Sequence, residues 1–141
     1  MKILCLSDLH QQPDDILNVI RQARFTPFLQ YIRYVVEDTA PDVIVVTGDN
    51  VPTPYVVSLK AFFGGLFPAD IPVVVTLGNH EFWERSFEET LENARNQDAD
   101  APNVHILDAE PSVVIDDYNF LGGTLFFDGS MRWREEDDLL P

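Results

Sequence analysis

The chain has 141 residues, of which 45% are apolar and 11% aromatic. This composition excludes wholesale disorder and is sufficient for one folded domain with a sizeable core. The 24 acidic and 9 basic residues give a formal net charge of −15. Such a charge disfavours a general affinity for nucleic acid backbone, because that affinity needs clustered Lys and Arg.

The amino terminus and the single cysteine limit the cellular context. Met1 and Lys2 lead directly into an apolar run, which leaves no room for the apolar core of a signal peptide, and no run reaches membrane-spanning length. We therefore expect a cytoplasmic protein without a membrane partner. Cys5 is the only cysteine, so an intrachain disulfide is excluded, and its place in an apolar run predicts a small buried side chain.

Three apolar runs end abruptly in polar side chains. Residues 3–7 lead into Asp8-Leu9-His10, residues 43–47 into Gly48-Asp49-Asn50, and residues 73–77 into Gly78-Asn79-His80-Glu81. Continuous runs of this length, separated by helix-length segments, predict central strands of a parallel sheet that is covered on both faces. In open α/β sheets the carboxyl ends of the strands share the edge where ligands bind. We therefore expect these side chains to converge: Asp8, His10, Asp49, Asn79 and His80.

The intervening segments predict crossover helices and then short strands. The helices are expected at residues 13 to about 24, from 27 to just before Pro41, at 56–66 with an end near Gly64-Gly65, and at 82–96. Asp14 and Asp15 follow Pro13 at the positive end of the first helix, so they are expected to stabilise the helix rather than bind a ligand. Short strands are predicted at 103–107, 112–115 and 119–121. The charged segment 132–138 predicts a solvated stretch or the start of a further element.

The chemistry of the converging side chains indicates a metal site. Two imidazoles, two carboxylates and one amide, with no thiolate, favour Mn²⁺, Fe²⁺ or Zn²⁺ over a structural zinc site. Asp49, at the end of the middle run, is placed to bridge two ions. Two-metal sites hold their ions about 3.5–4 Å apart and clamp the attacking and leaving oxygens of a displacement at phosphorus. Phosphoester hydrolysis is therefore the leading reaction class.

These three blocks, in this order and each closing a strand, resemble the first three sequence blocks of the calcineurin-like metallophosphoesterases, over residues 1 to about 130. The resemblance implies that Asp8 and His10 bind one metal ion, that Asp49 bridges two, and that Asn79 binds the second. It also implies that His80 is the catalytic residue that contacts the phosphate or the leaving group.

The resemblance further implies a fold and an activity. The fold is a layered α/β/β/α sandwich, of which this chain would supply mainly the first sheet with its crossover helices and the start of the second. The activity is hydrolysis of a phosphomonoester or phosphodiester with two divalent metal ions, Mn²⁺, Fe²⁺ or Zn²⁺. The expected partner is a small phosphorylated substrate, although a nucleic acid strand end reaching the metals stays open.

The sequence departs from the family pattern in two places. The second block commonly has a further Asp three positions after its first, where this chain has Pro52. The later lone His and the Gly-His-x-His block are not found, and His105 lies too early to replace them. Residues 1–141 are therefore expected to form a single domain that is incomplete at its carboxyl end, with an uncovered apolar sheet face that favours self-association.

Each motif also has a simpler interpretation. Asp8-Leu9-His10 could be an ordinary helix cap with an exposed histidine, and Gly78-Asn79 a turn that needs positive φ. The conjunction of three compatible strand ends favours a metal-dependent hydrolase. The rival from another class is a non-catalytic interaction module that keeps the fold.

Two further features are open in the sequence. Glu81 could orient a site residue from behind, or could simply occupy the first turn of a helix, where acids are favoured. Phe82, Trp83 and Phe87 could line a pocket for a base or an aryl leaving group. Helical spacing favours the core for all three aromatic side chains.

Overall fold

Four parallel strands form the main sheet, and a computed structural model describes them within residues 1–124. The strands are β1 (Ile3–Ser7), β2 (Val43–Thr47), β3 (Val73–Thr76) and β4 (Val104–Ile106), in the spatial order β1-β2-β3-β4. Their β-branched residues suit a pleated, buried surface. The predicted α/β class and the parallel pairing are confirmed. The predicted solvated segment at 132–138 lies outside the described residues.

Four helices connect these strands: α1 (Pro13–Ile20), α2 (Pro27–Thr39), α3 (Leu59–Leu66) and α4 (Phe87–Arg95). Prolines at the first turn begin α1 and α2. The helix predicted at 82–96 was placed too early. Ser86 and Glu89 form a capping box that begins α4 at Phe87, and a separate 3₁₀ turn covers His80–Phe82.

Two other helix bounds also differ from the prediction. α1 ends at Ile20 rather than near residue 24, because Gln22 adopts a left-handed φ of 52° that a helix cannot continue. Residues Thr53–Ser58 form a 3₁₀ turn before α3 begins. α3 ends at Leu66, as predicted, with Gly64 and Gly65 in its last turn. A Cβ at Gly65 would lie 3.1 Å from the Val19 carbonyl oxygen of α1.

One face of the sheet packs against the helices and forms the main core. Its largest fully buried side chains include Phe62, Phe63, Ile16, Leu29, Ile44, Leu59 and Leu66. The tilted pair Phe62 and Phe63, with ring centroids 5.0 Å apart, lies in α3. This core holds the crossover helices against the sheet and fixes the strand ends that follow.

The second face is covered by an antiparallel hairpin, β5 (Ser112–Ile115) and β6 (Tyr118–Leu121). Ile115 packs there with Val43, Val74 and Leu107, which belong to or follow β2, β3 and β4. The hairpin is a second, smaller sheet, as the layered fold requires.

β1 was predicted to be a central strand, and this is wrong within the described residues. β1 is an edge strand of the sheet, and Ile3 is 46% exposed. Cys5 is exposed and not buried, because the apolar cluster beneath the hairpin extends over β2 and β3 but not over β1. Within residues 1–124 no helix combines the length and apolar character that a membrane crossing requires.

Candidate metal centre

The loops that follow β1 and β2 are joined through their backbones. The N–H groups of Asp8, His10 and Gln11 donate to the carbonyl oxygens of Gly48, Asp49 and Asn50, at 3.2, 2.9 and 2.9 Å. Parallel pairing of β1 with β2 in register places the two loops side by side. The first two sequence blocks therefore meet at the carboxyl edge of the sheet, as predicted.

Left-handed backbone conformation bends these two loops. Asp8, His10 and Asp49 have φ values of 54°, 43° and 53°. Aspartate and histidine tolerate this region better than most residues, though it remains uncommon. The interpretation of Asp8-Leu9-His10 as a helix cap is wrong, since the residue that precedes α1 as its N-cap is Gln12.

Three side chains from the three blocks come within metal-binding reach of one another. His10, Asp49 and His80 each offer one ligand atom, and these atoms all lie within 4.8 Å of each other. The His80 Nε2 atom is 4.0 Å from Asp49 Oδ2, and the rings of His10 and His80 meet edge to face with centroids 4.6 Å apart. Nitrogen and carboxylate oxygen at these separations suit a divalent transition metal ion.

Asp8 lies beside this group rather than within it. Its Oδ1 atom is 3.9 Å from His10 Nε2, its side chain is 62% exposed, and its other oxygen accepts a hydrogen bond from the Ser7 hydroxyl. Asp8 and His10, which the resemblance assigns to one metal ion, are therefore neighbours. The structure does not place the Asp8 carboxylate in the central group of three.

Asn79 contacts Asp49 through its side-chain amide. In the orientation that gives both amide atoms a partner, the nitrogen donates to Asp49 Oδ2 at 3.3 Å and the oxygen accepts from Trp83 Nε1 at 3.2 Å. The reverse orientation directs the amide oxygen toward the Asp49 carboxylate, and two acceptors then face each other. A cation between them would satisfy both oxygens, so the donor set present here fits a divalent metal ion.

Glycine is required at position 78 because Asp49 lies too close to leave room for a side chain, and not because of the φ angle of Gly78. Neither Gly78 nor Asn79 has a positive φ, whereas Gly48 in the second loop does, at 62°. The turn interpretation of Gly78-Asn79 is therefore wrong. A Cβ on Gly78 would overlap the Asp49 carboxylate. The absence of a side chain lets the second and third loops touch at the metal centre.

Glu81 is fully buried, and its carboxylate accepts backbone N–H groups from both loops. Sequence reasoning left its role undecided between orienting a site residue and occupying a helix turn. Glutamate is almost never fully buried without partners, and nothing in the sequence pattern distinguishes this one from an exposed acid. The tertiary contacts alone show that Glu81 belongs to the site.

Trp83 lines a cavity beside the candidate ligands. The cavity has a volume of about 200 Å³, and its wall includes His10, Asp49, His80, Trp83 and Pro52. Trp83 is 66% exposed, and its ring centroid lies 3.5 Å from that of His80. The prediction that the aromatic set is core is wrong for Trp83 and for the half-exposed Phe87, and it holds for Phe82, which packs against the core.

His105 lies away from this centre, on β4. It lines a separate cavity of about 400 Å³ whose wall also includes Lys60, Arg95 and Glu110. Burial lowers the pKa of His105 below its ordinary value, and the Lys60 charge lowers it further, while Glu110 opposes both. His105 is not among the clustered ligand side chains of the described residues.

Comparison with known proteins agrees with this geometry. The sequence model of the calcineurin-like phosphoesterases matches residues 1–139. A search of curated proteins finds no match. Because the family match spans nearly the whole chain, the protein belongs to the calcineurin-like phosphoesterase family.

Proposed function

We propose that this protein hydrolyses phosphate esters at a centre of two divalent metal ions. The observation that carries the proposal is the convergence of His10, Asp49 and His80, whose ligand atoms lie within 4.8 Å of one another. Membership of a phosphoesterase family supports the same chemistry. The substrate is expected to be a small phosphorylated compound, in keeping with the formal charge of −15.

Asp8, His10, Asp49 and Asn79 would hold the metal ions, with Asp49 shared between them. Nitrogen and oxygen donors without sulfur suit Mn²⁺, Fe²⁺ or Zn²⁺. When bound, such ions acidify a water molecule and neutralise charge on the phosphate oxygens. The Asp49 side chain is only 15% exposed, so its charge is less screened by water than that of a surface carboxylate.

His80 would act on the leaving group. Its imidazole is 32% exposed at the cavity wall, and its backbone N–H is held by Asp49 Oδ1 at 3.0 Å. A proton on the imidazole could pass to the leaving oxygen as the ester bond breaks. The neighbouring Trp83 ring, tilted by 33° to the imidazole, limits the orientations that the imidazole can adopt.

A metal titration combined with an ester assay tests the proposal. Mn²⁺ binding to the purified chain is measured by calorimetry, and hydrolysis of bis(p-nitrophenyl) phosphate is followed with and without Mn²⁺. Binding that is lost in His10→Ala, together with Mn²⁺-dependent hydrolysis, is the expected result. A chain that binds no metal and hydrolyses no ester would support the rival interpretation, a non-catalytic module that keeps the fold.

A further inference from the structure

Within residues 1–124, the buried carboxylate of Glu81 accepts hydrogen bonds only from the backbone N–H groups of the second and third loops, which follow β2 and β3. Oε1 accepts the N–H groups of Asn50 at 2.6 Å and Val51 at 3.1 Å. Oε2 accepts those of Gly78 at 2.8 Å and Asp49 at 3.1 Å. An ionised carboxylate has about four acceptor positions, so this one is saturated. Hydrogen bonds to a charged group are stronger than neutral ones.

Three of these donors follow one another along the chain, at residues 49, 50 and 51. Successive backbone N–H groups in a turn form a concavity that binds anions, and in many proteins that anion is a phosphate. Here Glu81 occupies the concavity itself. The backbone of the second loop is therefore committed to an internal carboxylate and is not available to a substrate phosphate.

The peptide groups that bind Glu81 also connect the second loop to the first. Asp49 and Asn50 receive Glu81 on their N–H side, and their carbonyl oxygens accept the N–H groups of His10 and Gln11 at 2.9 Å each. Glu81 does not touch the first loop in any of its hydrogen bonds. The position of His10 nevertheless depends on an ordered second loop, because the backbone N–H of His10 donates to the Asp49 carbonyl oxygen.

We propose that Glu81 is the positioning residue of the metal centre, one buried carboxylate that fixes the ligands of all three loops. It holds Asp49 directly, His10 through the Asp49 and Asn50 peptides, and Asn79 and His80 through the turn that it shares with them. Glu81 contacts neither the substrate nor the reacting atoms. The inference rests on the proposed function, because it concerns the affinity of that centre for metal.

Glu81→Gln tests the inference with little change of shape. The amide replaces one acceptor oxygen by a donor, so two N–H groups lose their partner. In the metal-free chain, amide hydrogen exchange should accelerate at Asp49, Asn50, Val51 and Gly78. It should also accelerate at His10 and Gln11, which Glu81 does not contact. Mn²⁺ affinity measured by calorimetry should fall about 10–100-fold, as for other residues that support metal ligands.

A control variant separates positioning from general stability. Leu29→Ala or Ile32→Val removes buried core volume in α2, and the one whose loss of Tm matches Glu81→Gln is used. At a temperature where all the chains are folded, the control should keep wild-type Mn²⁺ affinity and wild-type exchange at His10. If Glu81→Gln does not fold, Glu81→Asp takes its place, since it keeps the charge but is too short to reach all four N–H groups.

Three contrary outcomes are distinguishable. Wild-type Mn²⁺ affinity in the Glu81 variant, with a loss of Tm equal to that of the control, would overturn the positioning role alone. A wild-type chain that binds no Mn²⁺ would overturn the proposed function itself. Exchange that accelerates at Asp49 but not at His10 would overturn the transmission to the first loop.

Discussion

The carboxylate of Asp49 accepts the backbone N–H of His80 at 3.0 Å, so the second and third loops are joined at the proposed bridging ligand itself. Its other oxygen lies 4.0 Å from the His80 imidazole. One side chain therefore holds the turn that carries the proposed catalytic histidine and still presents an oxygen to the candidate metal centre. This double use makes Asp49 sensitive to substitution.

Asp49→Asn should reduce Mn²⁺ binding more than Asn79→Ala does. A bridging carboxylate serves two ions, and its removal leaves their mutual repulsion less compensated. We expect a loss of about tenfold or more in affinity, which is about 1.4 kcal/mol, when each variant is titrated by calorimetry. The exposed Asp14 in α1 provides the matched control, because Asp14→Asn removes the same charge away from the site. Equal losses in Asp49→Asn and Asn79→Ala would contradict the bridging role.

His80→Ala should lower kcat while metal content stays near that of the wild type. General acid catalysis contributes about 10²–10⁴-fold, so the loss should be large for an alkyl leaving group and small for a nitrophenolate, which needs no proton. Metal content by atomic absorption and kcat for both esters provide the readouts. A uniform loss of activity with reduced metal content would instead identify His80 as a ligand, which its distance to Asp49 also allows.

Gly78→Ala should destabilise the protein and disturb the metal centre together. The added Cβ overlaps the Asp49 carboxylate and the Asp49 backbone nitrogen, and neither can retreat because both are hydrogen-bonded. Overpacking of this kind costs about 1–3 kcal/mol, measurable by urea unfolding. Gly123→Ala is the control, since within residues 1–124 its Cβ would meet only Asp108 Oδ1, at an ordinary 3.8 Å. Equal stability of the two variants would refute the close-approach argument.

His105 should make the stability depend on pH in mildly acidic solution. In the folded chain, burial lowers the pKa of His105 most, and the Lys60 charge lowers it further. In the unfolded chain its pKa is about 6.5, as in model peptides. The unfolded chain then binds more protons between the two values. The contribution of His105 to the free energy of unfolding is therefore fully present above about pH 6.5, and it is lost as the pH falls through the pKa of the folded chain.

Urea unfolding at pH 7.5 and pH 5.5 measures this dependence. His105→Gln should show a smaller loss of stability between the two values than the wild type does. Lys60→Met should also reduce the loss, because it removes a charge that opposes protonation. An unchanged pH dependence in His105→Gln would show that other groups produce it.

The order and spacing of the polar strand ends were predictable from local pattern. Apolar runs of β-branched residues specify buried strands, and parallel pairing then requires their carboxyl ends to share one edge. His10 and Asp49 could thus be brought together from the sequence alone. The first residues of helices were less predictable where a capping motif competed with the apolar periodicity. At Ser86, for example, the capping box makes α4 begin at Phe87.

The burial of single side chains could not be read from the same pattern. Cys5 was predicted to be buried and is exposed, because burial of β1 depends on what covers its outer face. Trp83 was predicted to be core and lies at the cavity wall instead. Both errors have one physical origin: periodicity identifies which face of an element a residue occupies, but not what packs against that face.

The sequence by itself determined the class of sheet and the three loops that carry the candidate ligands, because strand length and side-chain chemistry are local properties. Only the tertiary structure decided how those loops are held. Glutamate is normally a surface residue type, so the sequence does not distinguish Glu81. Its four backbone partners come from residues up to 32 positions away. Saturating a carboxylate with N–H groups in a dry interior requires the strands to be assembled first, so this role exists only in the folded chain.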